Sequence, residues 1–275
     1  MDKGAGTRDT TPQGTVFASL RKAERVWAVA SIHGEAHRLR RLHSALREKL
    51  KPGDRVVYSG NAMGHGPEIG AVIDEIMAFR RYVLAQHNAL VFDVAILRGA
   101  QEEMWQKTLQ LQFAVNPSEV LDWMLDQGVG ATLEAYGSDA DEARTAARTG
   151  TMAITRWTSN LRSAFQASGH QAWLSALKHA ALTRENTLLF VSRGLRPDLP
   201  LDAQDDVFWW GSGGFDGISE PYRTFSKVVR GFDPQHRGVQ TGDHTITLDA
   251  GCGFGGPLLA GCITADGGLD DMVET

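Results

Sequence analysis

Cysteine is nearly missing from this chain: Cys252 and Cys262 are its two examples. Two thiols are too few for a disulfide framework or a thiolate metal cluster, and they read as buried, inert side chains. No apolar run approaches the roughly 18 residues that span a bilayer, so no membrane partner is expected. The N-terminus lacks the apolar stretch of a secretory signal, and a cytoplasmic location is the expectation. A basic excess is also lacking. Lys and Arg number 28 against 33 Asp and Glu, a net charge of −5. A general nucleic-acid binder wants a basic face, so nucleic acid is not an expected partner. Neither an internal repeat nor a Pro-, Gly- or Ser-rich linker divides the chain.

What is present is ordinary globular usage, 42% hydrophobic and 22% charged, which excludes a largely disordered protein. Glycine is in surplus, at 30 of 275 residues. The average is about 7%. Such a surplus points to many strand-to-loop turns, where sites are often carried. Residues 1–20 read as a flexible polar tail, 21–265 as one domain with a helical insertion at about 118–180, and 266–275 as an acidic tail that frays.

The first part of that domain alternates strand, loop and helix. Arg25 to Ser31 reads as a buried strand, and His37 to Leu50 carries Leu39, Leu42, Leu46 and Leu50 at helical spacing. Arg55 to Tyr58 is a second strand, Glu68 to Leu84 a second amphipathic helix, and Ala89 to Leu97 a third strand. This order implies a largely parallel sheet, with a ligand outside the carboxyl ends of its strands. Loops Ser31–Glu35, Ser59–Gly66 and Arg98–Glu102 are therefore expected to converge. The middle reads helical, with Trp123, Trp157 and Trp173 as packing residues. Thr187–Val191, Lys227–Val229, Thr245–Leu248 and Leu258–Thr264 read as late strands.

Six blocks sit on or beside these loops. Ala30 to Gly34 reads ASIHG, Gly60 to Pro67 GNAMGHGP, and Leu97 to Glu102 LRGAQE. Phe190 to Pro197 reads FVSRGLRP, Val228 to Pro234 VVRGFDP, and Ile246 to Gly256 ITLDAGCGFGG. In order and spacing the series resembles the PPP-type, calcineurin-like metallophosphoesterases, especially bacterial serine/threonine protein phosphatases and symmetrical diadenosine tetraphosphatases. That family reads GDIHG, GDxxDRGP, LRGNHE, FVHAGLRP, VVHGHTP and INIDTGAVFGG. The resemblance implies an α/β fold, a two-sheet metallophosphoesterase sandwich flanked by helices.

The resemblance also implies two divalent metals, such as Mn or Fe, on six ligand positions. These map to Ser31, His33, Asn61, Ala100, Ser192 and Phe232, and His33 alone keeps the family residue. Two dications about 3.5–4 Å apart need bridging negative charge, whereas Asn61 and Ser31 are neutral and Ala100 and Phe232 carry no ligand atom. The implied acid, its orienting Asp and two phosphate-clamping Arg map to Gln101, Gly64, His65 and Gly211. An amide cannot donate and regain a proton near neutral pH, and neither His nor Gly offers a guanidinium fork. No catalytic residue is assigned on this reading, and no cofactor is expected.

The fold-shaping residues remain while the chemistry has gone, so a pseudophosphatase acting by protein or anion binding is the favoured expectation. The alternative is an active phosphoesterase with a rearranged site, for which Glu35, Asp54, Glu102 and Glu103 are the carboxylates to consider. His33, His65, Arg193 and Arg230 stand on the converging loops. Two readings apply to them: a metal-free site for a phosphorylated or other anionic ligand, or pairing with Glu35, Glu102 and Asp233 that fills the cleft. Gly251 to Gly256 matches GxGxxG, but a strand follows it where a dinucleotide site needs a helix.

Overall fold

The structure, a computed structural model, describes residues 16–86, 88–211 and 213–275. Its elements begin with strands β1 (Phe17–Leu20) and β2 (Arg25–Val29), helix α1 (Ala36–Lys49), β3 (Arg55–Tyr58), α2 (Ile69–Leu84) and β4 (Val94–Ile96). A helical run follows: α3 (Ala100–Thr108), α4 (Pro117–Asp126), α5 (Val129–Ala135), α6 (Ala140–Thr149), α7 (Thr151–Ala167) and α8 (Gln171–Ala176). The rest is β5 (Ala180–Thr183), β6 (Leu188–Val191), α9 (Val207–Trp210), β7 (Lys227–Arg230), β8 (Gly238–Thr241), β9 (Thr245–Asp249), β10 (Leu259–Thr264) and β11 (Leu269–Glu274).

Two sheets result, ordered β1-β5-β6-β7-β9-β8 and β11-β10-β2-β3-β4. β2, β3 and β4 run parallel, as do β6, β7 and β9. The residues of β3 and β6 are all buried, as strands covered on both faces require. α1 buries Leu39, Leu42 and Leu46, and α2 buries Ile69, Val72, Ile73, Ile76 and Phe79, so the helical spacing in the sequence is the core face. The layered α/β sandwich is the one expected. No helix among the described residues is long and apolar enough to cross a membrane.

The ends of the chain differ from expectation. Residues 17–20, read as tail, form β1, because Leu20 is fully buried and Phe17 packs edge-on against Phe208. The expected tail at Met1 to Gln13 lies outside the described residues. The acidic C-terminus forms β11 and does not fray: Leu269 and Val273 pack inward while Asp270 and Glu274 face out. Acidic side chains on an exposed edge strand discourage edge-to-edge pairing.

The third strand is shorter than expected, since Val91–Asp93 makes a single helical turn first. Buried Asp93 drives that turn: it accepts from the Leu90 amide and pairs with Arg21 and Arg55. Trp157 and Trp173 are buried, whereas Trp123 is half-exposed against Trp210. Both cysteines are free and buried, and burial raises the Cys252 thiol to about 12 and Cys262 to about 11.

Candidate functional site

Loops from both sheets meet at one place. The Ser31 amide, after β2, donates to the Gly231 carbonyl after β7 at 2.9 Å. The Gly231 amide donates to the Ser192 carbonyl after β6 at 3.1 Å. The amides of Ile32 and His33 both donate to the Asn61 carbonyl after β3. Gly34 has φ +77°, and a Cβ there would collide with the Gly66 carbonyl and stand 2.8 Å from Ile69. Only glycine allows this left-handed turn and close loop crossing together.

Beneath the loops lies Glu102, fully buried. Its carboxylate accepts the amides of Gly99 (2.7 Å), Asn61 (2.9 Å) and Met63 (3.1 Å). Burial raises its pKa, and the three amides oppose that rise. Glu102 thus fastens the β3 and β4 loops together from a fully buried position.

Of the positions that the resemblance maps to metal ligands, Ser31 and Asn61 bond to each other and His33 meets Phe232. Asn61 donates from Nδ2 to Ser31 Oγ at 3.2 Å and accepts the Gln101 amide at Oδ1 at 3.1 Å. His33 is buried with the left-handed φ of +50°, and neither ring nitrogen has a hydrogen-bond partner. Phe232 meets the His33 ring edge-on, centroids 5.6 Å apart. Ser192 is fully buried with an unpartnered hydroxyl. Ala100 opens α3 and supplies no ligand atom.

His65 and Phe254 complete a ring cluster, His65 to Phe254 at 4.2 Å and His33 to His65 at 5.1 Å. Burial, then the charge of His65 and that of His236, lower the His33 pKa to about 3. Burial and His236 also lower that of His65. At neutral pH both imidazoles are uncharged, so they serve as hydrogen-bonding rings and not as cations.

Gln101 donates to the Gln127 carbonyl at 2.8 Å, while its buried Oε1 has no partner. A Cβ at Gly64 would collide with the Gln101 side chain. Gln101 therefore occupies the space that a side chain at position 64 would need. Gly211 closes α9, with its carbonyl lying against Gly194.

The two cationic candidates separate. Arg230 is held by acids: it donates to Thr247 Oγ1 and Asp216 at 2.9 Å each, pairs with Asp233 at 3.4 Å and lies over Phe215. That removes Arg230 from the anion-binding set. Arg193 is half-buried over the Phe232 ring at 5.7 Å, and its buried Nε has no partner. Its side chain forms no ion pair or hydrogen bond among the described residues. Burial and the charge of Arg230 lower its pKa, and the charge of Asp233 opposes them in part.

Of the carboxylates considered as pairing partners, Asp233 alone behaves so, holding Arg230 and Arg237. Of those considered as substitute metal ligands, Glu35 approaches Arg38, Glu103 pairs with Arg98, and Asp54 holds Arg25 before β3. The sequence reading missed the His236–Asp249 pair at 2.9 Å, and Phe254, whose ring meets His33, His65 and His236. The glycine run around Phe254 was a signal of a loop at the site.

The residues present do not fit a two-metal centre. The bridging position is a carboxamide already bonded to Ser31, and a phenyl ring closes on the retained imidazole. Among the described residues no group of three or more His, Cys, Asp or Glu is placed to hold a metal ion.

No family model matches the chain, and no curated protein matches it. Solved structures do. A protein described as a diadenosine tetraphosphatase aligns over 94% of this chain and 97% of its own, with 17% identity and a TM-score of 0.52. A protein serine/threonine phosphatase from Saccharomyces cerevisiae aligns over 94% and 82%, with 12% identity and a TM-score of 0.53. A cold-active protein tyrosine phosphatase aligns over 94% and 83%, with 13% identity and a TM-score of 0.50.

These neighbours correct the expectation of no cofactor: the fold is shared with phosphatases, of a class tied to divalent metals, and does not carry cofactor-free operation. What the side chains add is narrower, namely that the two-metal ligand positions are not retained. The chain has the fold of the PPP-type metallophosphoesterases.

Proposed function

We propose that this protein is a pseudophosphatase: it uses the phosphatase fold to bind a phosphorylated or similarly anionic ligand in the loop cleft, and it does not hydrolyse that ligand by the family's two-metal route. One observation carries the reading. Arg193 holds its guanidinium over the Phe232 ring that meets neutral His33, with no carboxylate in ion-pair contact among the described residues and Asp233 acting on it only through space, while the neighbouring Ser192 hydroxyl has no partner. A half-buried guanidinium with no directly bonded acid offers a charge-assisted fork to an oxyanion. Ser192 and the neutral imidazole can add hydrogen bonds without adding charge.

Calorimetric titration of the full chain with inorganic phosphate and with phosphoserine tests this. Saturable binding is expected, weakened about tenfold or more in Arg193→Gln, as loss of a charged hydrogen bond worth roughly 1.5–3 kcal/mol implies. Absence of binding, or equal binding by Arg193→Gln, contradicts it.

A further inference from the structure

A cavity that shares no residue with the loop site opens between the edges of the two sheets. It encloses about 910 Å³ where β1 of one sheet comes beside β4 of the other. Its walls are apolar, with Phe17, Ile96 and Leu182 inside and Phe92 exposed at the mouth. Its charge has one sign. Arg21, Arg80, Lys178 and Arg184 line it, and among the described residues no Asp or Glu does, in a chain of net charge −5.

Behind Arg21, the buried Asp93 pairs with both Arg21 and Arg55, so that acid is already matched. The side chains of Arg80 and Arg184 have no ion pair or hydrogen bond among the described residues. Pockets of this size with apolar walls and a few convergent polar groups are the usual form of a small-molecule site.

We infer that this cavity binds an amphiphilic anion, its apolar body between the sheet edges and its acid group on Arg80 and Arg184. An acyl chain suits the apolar walls, and a carboxylate or phosphate headgroup suits the guanidinium groups that line them. An uncharged amphiphile would leave both arginines unmatched. A nucleotide would set polar base edges against Phe17 and Leu182 without partners.

Titration of the full chain with dodecanoate, dodecyl phosphate and dodecanol tests the assignment. Dodecanoate or dodecyl phosphate is expected to bind at one site, the better of the two identifying the headgroup. R80Q/R184Q is expected to weaken binding about tenfold or more, and Ala176→Trp, at an exposed lining position, to block it. Arg193→Gln should leave it unchanged, which separates this site from the loop cleft. Failure of both anions to bind overturns the inference, as does equal binding of dodecanol or unchanged affinity in R80Q/R184Q. Binding of a Glu-rich peptide with neither amphiphile bound overturns it in favour of a peptide groove.

Discussion

The Asn61 side-chain amide donates to the Ser31 hydroxyl at 3.2 Å, where the family resemblance would place two carboxylates around a pair of cations. The pair is neutral, buried and also bonded to the Gln101 amide. Restoring one acid therefore buries an unpaired charge. Asn61→Asp is expected to lower stability at neutral pH by about 1–3 kcal/mol, with recovery near pH 5 as the acid is protonated. Urea denaturation at both pH values checks this. Added Mn²⁺ is not expected to restore the loss, since Ala100, Ser192 and Phe232 still lack the other ligands.

His33 sets an acid limit. Its folded-state pKa is lowered to about 3, below the ordinary value of about 6.5. The unfolded chain thus binds a proton in the window between those values that the native protein does not. Stability from this group is complete above about 6.5 and falls progressively as pH drops toward 3, by an amount on the order of several kcal/mol. His33→Asn removes the titration and suits the left-handed φ. Denaturation midpoints between pH 7 and pH 4 are expected to fall less steeply in His33→Asn than in the parent.

A buried relay holds the first two helices to β3. Tyr58 bonds His43 Nε2 at 2.9 Å, and His43 Nδ1 bonds Glu75 at 2.6 Å, with the imidazole stacked on Phe79. Tyr58→Phe leaves an imidazole nitrogen without a partner, and a loss of about 1–3 kcal/mol is expected. Chemical denaturation should show a lower midpoint with an unchanged slope.

Two left-handed glycines give an internal comparison. Gly34→Ala meets both a positive φ and the Gly66 carbonyl, whereas Gly53→Ala meets the same strain with open space around it. Gly53→Ala is expected to cost about 1–2 kcal/mol, and Gly34→Ala distinctly more, as read by thermal unfolding of the two variants.

Much of the fold was legible because glycines and prolines mark loops whose order is specific. The leucines of α1 and the apolar face of α2 carry helical spacing that burial then requires. β1 and β11 were hidden because each is an edge strand: its outer face is polar, and Leu20, Leu269 or Val273 gives too few inward residues to announce a strand. At the site, Ser31 and Asn61 bond to each other and His33 meets Phe232. For Arg230 the pairing alternative applies through Asp233, and its other acid, Asp216, went unseen because it reaches in from a separate loop. His236 and Phe254 were missed because their meeting with His33 depends on the packing of one sheet against the other.

Turnover of p-nitrophenyl phosphate by the full-length protein with saturating Mn²⁺, set beside the same assay on His33→Asn, tests the central claim most directly. No hydrolysis above the buffer control is expected from either protein. Sustained Mn²⁺-dependent turnover by the parent that disappears in His33→Asn would contradict the pseudophosphatase assignment.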